Sequence, residues 1–141
     1  MQLEVKINLI LHATENEKEI LEVLENAFCV EQKNFQVEQV LGHFNNPISI
    51  ISSKLKKKNA QDFIKLFFSK IKKSDFQDIF DNVEGYVTSS GMNLRISKQK
   101  LFSEILTISK EDTIKININT PVYVKNETKK IYQELMKISY L

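Results

Sequence analysis

Eight lysines between Lys54 and Lys73 (54, 56, 57, 58, 65, 70, 72 and 73) face one acid, Asp62, which leaves +7 in twenty residues. Ammonium groups at that density can neutralise phosphates and release the counterions condensed on a polyanion. Lys58, Lys65 and Lys72 recur every seven residues, and at about 100° per residue they line up along a helix. Opposite them, Ala60, Phe63, Ile64, Phe67, Phe68 and Ile71 form an apolar face. Such a stripe is either the solvated side of a surface helix or a polyanion-binding surface. The cation candidates are Lys54, Lys56, Lys57 and Lys58 at the start of this helix, Lys65 and Lys72 along it, and Arg95, Lys98 and Lys100 further on. They would hold a backbone in place without reading bases. Arg95 is the only arginine. Its planar fork suits bidentate contact with phosphate or base, although an arginine on a strand also serves in surface ion pairs. His43 and Phe44 are side chains that stack on unpaired bases; alternatively they pack and hydrogen-bond within their own turn.

Other chemistries find little support. His12 and His43, the only histidines, are not at a metal-ligand spacing, and Cys29 lies on an apolar helix end with no evident base. Asp75, Asp78, Asp81 and Glu84 recur every three residues. They are either carboxylates gathered for a divalent cation or the solvated side of a short helix whose other side holds Phe76, Ile79 and Phe80. With Gly42, Gly85 and Gly91 alone, no phosphate-cradling glycine loop exists. The residues point to a protein that is not an enzyme and needs no cofactor or metal.

The elements that must carry these residues can be read in order. Leu3, Val5, Ile7, Leu9 and Leu11 alternate with mostly polar neighbours, a half-buried strand. Thr14 with Glu17 forms a capping-box pattern ahead of a helix whose inner face is Ile20, Leu21, Leu24, Ala27 and Phe28. Phe35 to Leu41 reads as a second strand, the segment from Gly42 to Pro47 as a shaped turn, and Ile48 to Ser53 as a third strand pairing antiparallel with the second. Asn59 is placed to cap the lysine helix, and Ser74 to start the short helix after it. Tyr86–Val87 and Met92 to Ile96 suggest a hairpin about a turn at 88–91, and Ser97 a cap for a brief helix. Ile114, Ile116 and Ile118 mark a last strand, and Thr120–Pro121 fits the start of a C-terminal helix carrying Ile131, Tyr132, Leu135, Met136 and Ile138. The expected architecture is α+β: a single domain over residues 1–141, with an antiparallel sheet of about five strands and helices packed mainly on one face.

At 141 residues, 42% hydrophobic and 27% charged, the chain can bury a core without staples and holds no apolar run long enough for a bilayer. Its alternating start argues against a secretory leader, and one unpaired cysteine, expected to be buried, suits a reducing compartment. A cytoplasmic location is the expectation. The net charge of +2 conceals an asymmetry, because residues 15–38 hold seven acids against two lysines. Charge gathered on one face, rather than the total, decides polyanion binding.

The segments Leu41-Gly42-His43-Phe44-Asn45-Asn46-Pro47-Ile48, Leu94-Arg95-Ile96-Ser97-Lys98-Gln99-Lys100 and Asp112-Thr113-Ile114-Lys115-Ile116-Asn117-Ile118 together resemble an archaeal family described as RNA-binding and as a predicted exosome-associated subunit. Its fold is similar to that of the ribosomal protein that binds 5S rRNA. The likeness runs from the first strand to at least Ile118, with Arg95, Lys98 and Gln99 matching the pattern. Phe44 and Asn45 stand where the family prefers tyrosine and glycine, Ser97 where it prefers aspartate, and a glycine is missing near Ser103 and Glu104. The resemblance implies RNA binding, with a role in RNA processing or the exosome. The competing reading is a protein-interaction or dimerisation module, in which charged faces dock partners or two copies pair through a sheet edge.

Overall fold

Alternation of apolar and polar residues from Glu4 to His12 places every second side chain on the same face, and that face is buried. The structure, a computed structural model, describes residues 3–138. Six strands, β1 (Glu4–His12), β2 (Gln36–Leu41), β3 (Pro47–Lys56), β4 (Val87–Thr88), β5 (Gly91–Ser97) and β6 (Thr113–Asn119), form one antiparallel sheet in the order β2-β3-β1-β6-β5-β4. The strands number six, not about five; β4, two residues that pair with the start of β5, is the first arm of the hairpin expected around residues 88–91. Among the described residues six helices, α1 (Glu17–Phe28), α2 (Lys57–Lys70), α3 (Lys73–Asp81), α4 (Val83–Tyr86), α5 (Lys98–Leu101) and α6 (Thr128–Lys137), accompany it, with 3-10 turns at Gln32–Asn34 and Lys125–Glu127.

The core lies between one face of the sheet and the helices. Val5, Ile7, Leu9, Ile51, Leu55, Met92, Leu94, Ile96, Ile114, Ile116 and Ile118 supply the sheet side. Against them, an aromatic chain runs through the helices: Phe28 meets Phe63 edge-on at 5.2 Å, Phe63 stacks on Phe67, Phe67 meets Phe68, and Phe68 meets Phe76. Tyr132 of α6 closes the far end, its buried hydroxyl donating to the Ile118 carbonyl at 3.3 Å. Burial raises the pKa of that phenol above its ordinary value. Gly91, at φ 117°, lets β5 approach β6 closely, since a Cβ there would sit 2.5 Å from the Ile118 carbonyl oxygen.

Several local expectations change. α1 is capped by Asn16, whose side chain accepts from the Glu19 amide at 3.1 Å, because Thr14 is taken up in the turn that joins the Glu15 amide to the His12 carbonyl. α2 begins at Lys57, two residues ahead of Asn59. The Lys57 amide donates to the Leu3 carbonyl, so the ladder with β1 continues to the last residue before the helix. Thr120–Pro121 does not start a helix; α6 begins at Thr128, and the Thr120 amide instead meets the Tyr132 hydroxyl. Cys29 is exposed, not buried. It ends α1 at φ 55°, where the chain turns its side chain outward. In the Gly42–Asn46 turn, the positive φ falls on Asn45.

Candidate nucleic-acid interface

With the helices on one side, the other face of the sheet is left open. Strand register orders its side chains into rows. One row crosses five strands as Gln36, Ser52, Asn8, Lys115 and Arg95. The next holds Lys54, Lys6, Asn117 and Asn93, and the one beyond it Lys56, Glu4 and Asn119. In the opposite direction the face turns mostly apolar, with Ile50 between Ile10 and the exposed carboxylate of Glu38, and Ile48 beside His12 and Val40.

Five cations therefore share the open face. Lys54 pairs with Glu4 at 3.0 Å. The hydrogen bond from Lys54, reinforced by the charges of Lys54, Lys6 and Lys56, holds the Glu4 carboxyl below the usual carboxylate range against a smaller upward push from burial. One carboxylate among three lysines leaves this corner positive. Arg95 and Lys115 lie directly opposite each other on neighbouring strands, and among the described residues neither has a carboxylate within ion-pair distance. Like charges so placed, with Cβ atoms about 5 Å apart, cost stability.

The structure separates the candidates drawn from the sequence. Lys54, Lys56 and Arg95 occupy the open face. Lys57, Lys58, Lys65 and Lys72 are exposed but belong to the helix layer, on the other side of the molecule. Lys100 is exposed on α5. Lys98 is the clear correction: its side chain is 0% exposed and its ammonium is bonded to Glu15 at 2.8 Å, Asp112 at 3.0 Å and the Ile10 carbonyl at 2.9 Å. It ties together the end of β1 and the loops before α1 and β6, and presents nothing to a phosphate. The expected single patch is thus two surfaces and one buried tie. The Gly42–Asn46 turn holds Phe44 at 84% exposure, edge-on to His43 at 4.8 Å, so this ring does not pack beneath its turn.

Sequence reasoning missed Lys6 and Lys115 and the asparagines around them, although each sits in the polar phase of an alternating strand. Asn117 and Asn93 are tied to each other at 2.9 Å, whereas the side chain of Asn8 makes no hydrogen bond among the described residues. The acids of α3 are occupied. Asp75 accepts from the Thr107 hydroxyl and the Ile108 amide, Asp78 from Tyr86 and Asn82, and Asp81 from Gln77. Among the described residues no cluster of three or more metal-binding side chains forms, and no helix is long and apolar enough to cross a membrane.

The chain is similar to several known proteins. RNA-binding protein PAB1135 of Pyrococcus abyssi is 28% identical over 126 residues, covering 84% of this chain and 82% of the relative. Among solved structures, protein SSO0741 from Sulfolobus solfataricus, described as DUF54, matches with a TM-score of 0.77 at 26% identity over 97% of both chains. Mth689, a DUF54 protein from Methanothermobacter thermautotrophicus, shares the fold with a TM-score of 0.75 at 22% identity over 96% of this chain and 99% of its own. A family model described as RNA binding matches residues 4–120, from the first residue of β1 to the end of β6, and the chain belongs to that RNA-binding family.

Proposed function

We propose that the protein binds RNA without catalysing a reaction, and that the backbone runs across the open face of the sheet. The observation that carries this reading is the cross-strand pair Arg95 and Lys115, two like charges held side by side with no carboxylate to offset them. A sheet has no structural reason to keep such a pair, whereas a phosphate between the two would turn their repulsion into two charge-assisted contacts. Lys6, Lys54 and Lys56 extend the path, and the apolar end with exposed Phe44 offers surface for unstacked bases. The name of the Pyrococcus relative supports the same direction. A role in RNA processing, as an accessory to the exosome, and action in the cytoplasm follow as parts of this proposal. A fold like that of the 5S rRNA-binding ribosomal protein is a further part of this proposal, and it sets the choice of probe.

The test is a titration of labelled single-stranded RNA and of a structured ribosomal RNA fragment at several salt concentrations. Neutralising four to six phosphates gives a slope of log affinity on log salt of about −3 to −5. Arg95→Glu with Lys115→Glu makes that slope shallower by about two and weakens both RNAs. No binding at about 50 mM salt, a low-screening condition, rejects the reading.

One observation favours a second reading. β2 is an edge strand, and Val37 and Leu41 on it are exposed, Leu41 by 71%. Two copies pairing antiparallel about Gln39 would set Val37 against Leu41 twice and keep the two Glu38 side chains apart. Sedimentation that gives a monomer at every concentration tested removes it.

A further inference from the structure

Beside the open face, β2 begins only at Gln36, so Ser53 and Lys54 of β3 have no strand outside them. The 3-10 turn Gln32–Asn34 stands there instead, fastened by the Ser53 hydroxyl, which donates to the Asn34 carbonyl at 2.9 Å. The result is a cleft of about 360 Å³ lined by Lys6, Asn8, Asn34, Gln36, Ser52 and Lys54. Resting on the RNA reading above, we infer that this cleft receives one unpaired nucleotide, its phosphate held by Lys6 and Lys54 and its base edge read by the amides of Asn8, Asn34 and Gln36.

Three features carry the assignment. Lys6 and Lys54 are register partners on the same face, so their flexible side chains can converge on one anion, which draws Lys54 away from its 3.0 Å pairing with Glu4; that carboxylate offsets only one of the positive charges around it. The side chains of Asn8, Asn34, Gln36 and Ser52 make no hydrogen bond within the protein, among the described residues. Each carboxamide keeps two donors and two lone pairs for a ligand, and that planar pairing of donor and acceptor matches the edge of a nucleobase. The volume is near the lower end of the roughly 300–1,000 Å³ of small-ligand sites, enough for one nucleotide and too small for a duplex. In an A-form helix the Watson–Crick edges are taken up by pairing and the deep groove is out of reach of side chains, so it is an unpaired base that offers those edges to the amides. The cations position the strand, and the amides add the base selectivity that lysines cannot supply.

The probes are labelled ten-nucleotide homopolymers of adenylate, cytidylate and uridylate, measured with the full chain at one low salt concentration. The expected result is a difference of about fivefold or more between the best and worst polymer, the lower end of what one bidentate amide contact discriminates. Asn8→Ala with Gln36→Ala, and Gln36→Ala alone, bring the preferred polymer down towards the others. Equal affinities in the parent protein, or full discrimination surviving in the double variant, overturn the nucleotide cleft while salt-dependent RNA binding still stands. Binding to no RNA at all overturns both.

Discussion

Lys98 illustrates how a single side chain can be misassigned by its neighbours in sequence. It lies between Arg95 and Lys100 and reads as part of a basic run, yet it is the ammonium that the protein encloses, against Glu15, Asp112 and the Ile10 carbonyl. Removing one partner of a buried ion cluster leaves the others uncompensated. Lys98→Met is expected to lower stability in urea unfolding by about 3 kcal/mol, at the low end of such effects because both carboxylates partly reach water. A change below about 0.5 kcal/mol, the level of ordinary surface substitutions, would show that the tie contributes nothing. Tyr86 makes a second residue-scale prediction. Burial, then the 2.6 Å hydrogen bond it donates to Asp78 and the charges of Asp78 and Asp75, push its phenol up to about 12. A folded-state pKa raised above the ordinary 10 means that the stabilisation is complete below pH 10 and is lost as the pH climbs to about 12. Ultraviolet titration of the four tyrosines should show a component near pH 12 that is lost in Tyr86→Phe, leaving only the late titration of the buried Tyr132 phenol, and the variant's stability should fall less over that window.

At the scale of elements, α2 was legible because its apolar spacing and its lysines follow the helical period on opposite sides. Its packing is decided by Phe67, 1% exposed and touching Phe28, Phe63 and Phe68 at once. Phe67→Ala is expected to cost about 3–5 kcal/mol, measured by chemical unfolding, because a cavity opens where the rings from α1 and α2 meet. The strands were legible from alternation, and their ends were not. β3 runs straight into α2, so no loop residue marks the boundary, and β4 is too short to leave a period. The brief helix α5 was legible through its cap, since the Ser97 hydroxyl does accept from the Lys100 amide at 3.1 Å.

At the scale of the molecule, the lysines divide between two surfaces that back onto each other. Lys58 and Lys65 on α2 lie with the helices, as does Lys72, which falls in the break between α2 and α3 and so is not on the expected stripe, while Lys6, Lys54, Lys56, Lys115 and Arg95 lie on the open sheet. One short RNA segment cannot contact both. Lys58→Glu with Lys65→Glu is therefore expected to reduce affinity for a ten-nucleotide RNA by less than about threefold through long-range charge alone, while the Arg95 and Lys115 double variant loses tenfold or more. Reversed effects in the same titration would move the binding surface to the helix layer.

Alternation within Glu4–His12 and Thr113–Asn119, the amphipathic period of α2 and the cap at Ser97 were enough to specify strands, helices, the α+β class and the excess of cations, because each is a local property of neighbouring residues. Which cations stand together was decided only by the tertiary structure. Strand order and register bring Lys6, Lys54, Lys115 and Arg95 onto one face from four separate strands, and the same folding draws Lys98 inward to a carboxylate far away in sequence. A charge's fate depends on what the sheet and helices place beside it, and spacing along the chain does not contain that information.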